Sequence, residues 1–200
     1  KGSLLSRMPG NRYQRFANLR LLYLYMWTYP GKKFLFMGNE LAQEQEWDFS
    51  SILDWESLSQ PEYRGIQMLV RDLNHLYRSI ASLHDSEFSQ EGFEWLDCHD
   101  AARSVVAYLR RGGGDDPVLV VLNFSAVVRL DYRVGVPLSG FYQEVLNSDA
   151  GIYGGGGGSV ENGMVHAELI PYFGYPCSLV LDLPPLSGLV LVSRREYFDG

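Results

Sequence analysis

Cysteine is scarce: the chain of 200 residues has two, Cys98 and Cys177. They are too few and too far apart for a disulfide scaffold, and two free thiols fit a cytoplasmic chain. Basic residues are outnumbered, 17 against 24 acidic, for a formal net charge of -7. Phosphates want a basic face, so nucleic acid is not an expected partner. The acids are scattered, as on a solvated surface. Long apolar runs are missing too. The longest, residues 21–27, is far too short to span a bilayer; no signal peptide is visible, and no membrane partner is expected. Metal motifs are lacking. Asp97-Cys98-His99-Asp100 strings ligand types together, but consecutive side chains diverge and no second cluster exists, so the segment reads as a turn. The glycine run 154–158 lacks the Gly-Lys-Ser/Thr ending of a phosphate loop and reads as a flexible loop. His75 stands without partners, as an ordinary surface or boundary residue. No metal and no cofactor are expected.

What is present is an ordinary globular composition, 46% hydrophobic, with length for one large or two small domains. The most informative stretch is 32–55, KKFLFMGNELAQEQEWDFSSILDW. Its apolar run 34–37 lies between Pro30-Gly31 and Gly38-Asn39, as a fully buried parallel strand would. Glu40 follows at once, just past the strand end, where α/β proteins bind ligands. Residues 41–59 show no period and carry Trp47, Trp55, Glu44, Glu46, Asp48, Asp54 and Glu56. A long loop rich in aromatics and acids points to function; the plainer reading is a surface loop stapled down by its tryptophans.

Around this stretch the pattern is helical. Residues 1–11 read as a loop, and Asn11 caps a helix to about Tyr29. Phe16, Leu19, Leu22, Tyr23, Met26 and Trp27 give it one broad apolar face, and Pro30-Gly31 stop it. A second helix starts at a Ser59/Glu62 capping box with Pro61 in its first turn. Ile66, Leu69, Val70, Leu73, Leu76, Tyr77 and Ile80 carry it to Leu83 or His84. From residue 85 the pattern becomes short strands between turns: 93–96, 104–110, 118–123, 132–136, 142–146, 165–171, 178–183 and 188–192. Such spacing predicts an antiparallel sandwich. Gly112-Gly113-Gly114-Asp115-Asp116 marks a hairpin loop, and Pro184-Pro185 interrupt the last hairpin. The predicted organisation is thus two parts, 1–84 and 85–200. A single parallel strand needs neighbours for its backbone groups, and no other strand is expected before residue 85. The chain therefore reads as the tail of something larger.

A family resemblance sharpens this. Ser6-Arg7-Met8-Pro9-Gly10, Phe16-Ala17-Asn18-Leu19-Arg20, Pro30-Gly31-Lys32-Lys33, Phe36-Met37-Gly38-Asn39-Glu40, Glu46-Trp47 and Ser51-Ile52-Leu53-Asp54-Trp55 resemble the bacterial 1,4-α-glucan (glycogen) branching enzymes of the α-amylase superfamily. The likeness continues through Leu69-Val70-Arg71-Asp72-Leu73-Asn74, Gly92-Phe93-Glu94-Trp95, Val145-Leu146-Asn147-Ser148-Asp149 and Leu183-Pro184-Pro185-Leu186. It departs at the glycine run and from about Arg194. It implies the last part of a (β/α)8 barrel, with 34–37 as eighth strand and 61–83 as eighth helix, followed by an all-β antiparallel sandwich domain.

The resemblance also implies the chemistry. The family cleaves an α-1,4 glucan and transfers the cut chain to a 6-hydroxyl with retention, which takes a nucleophilic carboxylate and a general acid. Those carboxylates, and a third in a His-Asp-Glu motif, lie upstream of Lys1 in the family, and Glu40 matches none of them. No catalytic residue is expected here, and the fragment alone is expected to be inactive. The expected substrate-binding residues are Glu40, Trp47, Asp48 and Trp55, with Trp47 facing glucan and Trp55 packing the loop. Glycogen or amylose is the expected partner. The alternative is a non-catalytic glucan-binding or scaffolding β-sandwich. Phe93, Trp95, Tyr108, Phe141 and Tyr142 could stack on sugars, but their alternation with apolar neighbours favours the core. Without the rest of a barrel, both helices are expected to leave apolar surface bare, and the fragment to self-associate.

Overall fold

Val118–Asn123 is buried at all six positions. A strand apolar on both faces needs cover on both, and in the computed structural model, which describes residues 2–97, 100–114, 117–158 and 160–194, it has it. Val118, Val120 and Leu122 face a helical layer, while Leu119 and Val121 face a second sheet. The chain runs α1 (Leu4–Arg7), α2 (Arg12–Thr28), α3 (Pro61–Ser79), β1 (Phe93–Asp97), β2 (Val105–Arg110), β3 (Val118–Asn123), β4 (Arg129–Val136), β5 (Gly140–Asn147), β6 (Met164–Ala167), β7 (Cys177–Leu183) and β8 (Ser187–Arg194). Six strands form one antiparallel sheet in the order β1-β2-β3-β8-β5-β6, and β4 pairs with β7 in the second. All eight expected strands are present. The sixth stops early, at Ala167, because Glu168 turns away to bridge Ser178 in the second sheet. Of the expected turns, Cys98 and His99, and Asp115 and Asp116, lie outside the described residues.

A one-turn helix, α1, stands where 1–11 is expected as loop. Helix α3 ends at Ser79 rather than Leu83 or His84, and a separate 3-10 turn follows at Ala81–Leu83. The helices depart from expectation in three further ways. First, α2 begins at the Asn11 cap, boxed with Gln14, but is not one-faced: Leu19, Arg20 and Leu21 are all buried. Second, α3 starts without the Ser59/Glu62 box. Ser59 ends the 3-10 turn Glu56–Ser59, Gln60 takes the cap position, and Glu62 reaches Arg12 instead. Third, the apolar faces are not bare. Phe16, Leu19, Leu24, Ile66, Leu69 and Leu73 share one core with Tyr108, Val120, Leu122 and Val190 of the sheet. The helical segment therefore closes its core on the β-part.

The run 34–37 is a correction as well. It belongs to no sheet among the described residues, Met37 already lies in a turn, and Phe34 and Met37 are 70% and 58% exposed. Among the described residues no strand lies beside its backbone, and only Leu35 of its side chains packs against the core. The exposed apolar surface of this region sits there and on the following loop, where Phe49 and Ile52 are 86% and 90% exposed. Among the described residues no helix is long and apolar enough to cross a membrane.

Two buried arginines fasten the helical layer to the strands. Arg110, on β2, donates from Nη1 to Thr28 O (2.7 Å), from Nη2 to Leu83 O (3.1 Å) and from Nε to Gly92 O (3.1 Å). Arg20, on α2, donates from Nε to Ser148 O (2.8 Å) and pairs with Asp149 Oδ1 at 3.5 Å. The glycine run, expected as a flexible loop, is built around that aspartate. Gly156 N donates to Asp149 Oδ1 (2.9 Å) and Gly157 N to Asp149 O (2.8 Å).

Candidate functional site

The loop leaves the body through a 3-10 turn, Asn39–Leu41, flanked by Gly38 at φ +79° and Ala42 at φ +54°. Tyr23, buried in α2, anchors that turn by donating its hydroxyl to Asn39 O at 2.6 Å. Burial, with the nearby Glu40 charge adding to it, raises the Tyr23 pKa, so the hydroxyl stays a donor. Glu40 itself is half-buried on this turn.

Beyond the turn the loop walls a cleft of about 580 Å³, lined by Arg12, Glu44, Ile52, Asp54, Trp55 and Tyr63 among others. The Arg12 guanidinium organises its floor. Nη1 meets Glu44 Oε1 at 3.3 Å, Nη2 donates to Gln60 Oε1 at 2.8 Å, and Nε meets Glu62 Oε1 at 3.5 Å. It also lies 5.4 Å from the ring centroids of both Phe16 and Tyr63. The Tyr63 hydroxyl donates to Glu44 Oε1 at 2.7 Å, and burial together with Glu44 raises its pKa. Asp54 accepts from Ser57 N at 3.2 Å and from the Ser57 hydroxyl. These carboxylates are spent on neighbouring donors, which makes the cleft a polar wall with an exposed indole rather than an acid–base pair.

A smaller cleft, about 230 Å³, opens between α1 and the loop and is lined by Ser3, Phe36, Met37, Glu46 and Trp47 among others. Trp47 packs edge-on against Phe36 at 5.3 Å. The four expected site residues are therefore not gathered in one place. Trp55 lies in the larger cleft, Trp47 in the smaller one, and Glu40 and Asp48 line neither. Asp48 holds its own loop together, accepting from Ser50 N (2.9 Å) and Ser50 Oγ (2.8 Å), and those bonds hold its carboxyl below the usual range.

Sequence reasoning missed Arg12 and Tyr63, which come from the two helices. One signal was available. Arg12 opens α2, whose first turn has no acid, and a cation at the positive end of a helix dipole calls for acids from elsewhere. Among the described residues no group of three or more His, Cys, Asp or Glu could hold a metal ion.

Residues 95–194, from within β1 to the end of β8, match the α-amylase C-terminal all-β domain. The chain belongs to that family. Within the family it is similar to bacterial 1,4-α-glucan branching enzymes GlgB. It is 56% identical over 195 residues to that of Rubrobacter xylanophilus, covering 97% of this chain and 27% of the relative. With the Nitrosococcus oceani enzyme it shares 53% over 192 residues, covering 96% and 25%. With the Aquifex aeolicus enzyme it shares 52% over 192 residues, covering 96% and 30%. The likeness thus takes in the helical layer and the loop as well as the family domain, and corresponds to a C-terminal portion of those enzymes. The chain spans about a quarter of the length of these curated relatives.

Proposed function

We propose that this chain is the C-terminal part of a 1,4-α-glucan branching enzyme, which cuts an α-1,4 glucan and transfers the piece to a 6-hydroxyl, in the cytoplasm. The observation that carries this is identity above half over 96% or more of the chain with three branching enzymes. In this reading residues 1–84 end a (β/α)8 barrel and 85–200 form its C-terminal β-domain. The unpaired run 34–37 supports it, since an apolar segment with Phe34, Phe36 and Met37 exposed suits a barrel strand awaiting its neighbours. The catalytic carboxylates lie upstream, and this chain supplies one wall of the cleft. From the sequence, Trp47 is expected to face glucan and Trp55 to pack the loop. With both exposed, Trp47 and Trp55 each offer a ring face to glucan, Glu40 shaping the turn before them and Asp48 the loop between them.

The test is a chimaera. With this chain replacing the matching part of the Aquifex aeolicus enzyme, branching should persist, read as loss of amylose–iodine colour. This chain alone should leave the colour unchanged. A folded chimaera without branching, or colour loss that tracks the isolated chain, would refute the reading. One observation favours a second reading, a glucan-binding sandwich: Trp95, expected in the core, is exposed beside Tyr29, Phe93 and Tyr108. Retardation of the isolated chain in a glycogen-containing gel, lost in Trp95→Ala, would support it; unretarded migration would remove it.

We also propose that the isolated chain self-associates through the loop side rather than the helices. Phe34, Phe49 and Ile52 are largely exposed there, and contiguous apolar surface drives association. Sedimentation should show concentration-dependent mass that Phe49→Ser with Ile52→Ser reduces. A monomer at every concentration would contradict it.

A further inference from the structure

One guanidinium touches both ends of the loop. Arg12 reaches Glu44 at the loop's start and Gln60 and Glu62 just past its end. Between those points the loop has little regular structure beyond the 3-10 turn Glu56–Ser59, and residues 44–52 are exposed without interruption. Two further ties near its start come from the segment before α1. Ser3 Oγ donates to Glu44 O at 3.0 Å and Gly2 N to Glu46 Oε2 at 3.3 Å. Near its end Arg64 bonds Leu58 O at 3.2 Å. These three do not join the two ends to each other, whereas Tyr63, the residue after Glu62, does so by donating its hydroxyl to Glu44 Oε1 at 2.7 Å. Arg12 adds Gln60 and Glu62 to that tie through a planar fork that can serve three acceptors at once, lying over both the Phe16 and Tyr63 rings.

We infer that Arg12 is a positioning residue: it clasps the two ends of loop 42–59 and so sets the pose in which Trp55 meets glucan. This rests on the branching-enzyme reading for its ligand, though the clasp itself does not. Three features of the cleft fit the assignment. Arg12, Glu44 and Trp55 line the same cleft. The Arg12 and Glu44 side chains stay 48% and 44% exposed, so the pair is a tether rather than a core element. Trp55 opens the 3-10 turn that leads back to Gln60, so the Arg12–Gln60 bond lies one short turn from the segment carrying the indole. An exposed ion pair contributes little to global stability, while the placement of a substrate-facing group acts on binding.

The expectation divides accordingly. In the branching chimaera, Arg12→Ala should raise KM for amylose about tenfold with kcat within about twofold, as loss of uniform binding does. Thermal stability should be nearly unchanged. Arg12→Lys keeps the charge without the fork and should recover only part of the KM. In the isolated chain labelled with 5-fluorotryptophan, Arg12→Ala should shift or broaden the Trp55 fluorine resonance, assigned through Trp55→Phe. The buried Trp27 resonance should stay in place. An unmoved Trp55 resonance overturns the clasp. So does an unchanged KM in a chimaera that branches. A parent chimaera that does not branch instead overturns the functional reading, and the fluorine spectrum still decides on Arg12.

Discussion

Arg110→Met is expected to cost about 3–5 kcal/mol of folding stability, the range found when one side of a buried charged network is removed. The competing terms can be weighed. Burial disfavours the guanidinium and lowers its pKa, so removing it relieves a desolvation penalty. Against that stand three main-chain carbonyls, of Thr28, Leu83 and Gly92, that lose their donor together. Each buried unsatisfied acceptor costs about 1–3 kcal/mol, and a methionine offers none of them a partner. Carbonyls cannot be mutated to apolar groups, so the compensation that rescues replaced side-chain pairs is closed here. Glu87 loses a nearby charge but keeps Lys33 at 3.2 Å and the Tyr77 hydroxyl at 2.8 Å. The loss side therefore wins. For a chain of this size the melting temperature should fall by roughly 6–20 °C. Thermal and guanidinium unfolding would measure it, and a loss below about 1 kcal/mol would mean water replaces the guanidinium.

The position of Arg110 explains why a two-part reading of the sequence captures the elements but not their union. Turn signals and alternation reveal every strand because each is a local pattern. The bonds by which Arg110 joins the helical layer to the sheet are legible only once residues 18 to 82 positions apart are brought together. The run 34–37 fails for a related reason. A local pattern states what a segment is able to bury, and among the described residues no strand pairs with it. Val118–Asn123 has the same continuous apolar character and is buried, because β2 and β8 flank it and both of its faces are covered. At the site, Trp47 and Trp55 stand out in sequence because tryptophan is rare in loops. Arg12 and Tyr63 do not, since each looks like an ordinary helix residue until Glu44 is placed between them.

The glycine run shows a different limit, and it yields the second large effect. Asp149→Ala is expected to cost about 3–5 kcal/mol, because it leaves the Arg20 cation buried without its counter-charge. Arg20 and Asp149 side chains are 1% and 5% exposed. Burial already pushes the Arg20 guanidinium down, and the Asp149 charge is the first thing that offsets it. The same carboxylate orders the loop, since Gly156 N donates to it. The fit is close enough to dictate composition: a Cβ on Gly155 would sit 2.1 Å from Asp149 O. A glycine run thus looks like flexibility in the sequence, while in the fold Gly155 and Gly156 give room to one aspartate. A double-mutant cycle separates the pair from the loop. Arg20→Met with Asp149→Ala removes both charges, so it should lose less than the sum of the single losses by about 2 kcal/mol. Hydrogen exchange at the Gly156 and Gly157 amides should quicken in every variant that lacks Asp149. Additive losses would mean the two charges do not sense each other across 3.5 Å. Slow exchange at Gly156 in Asp149→Ala would mean the loop is ordered by something other than the carboxylate it encloses.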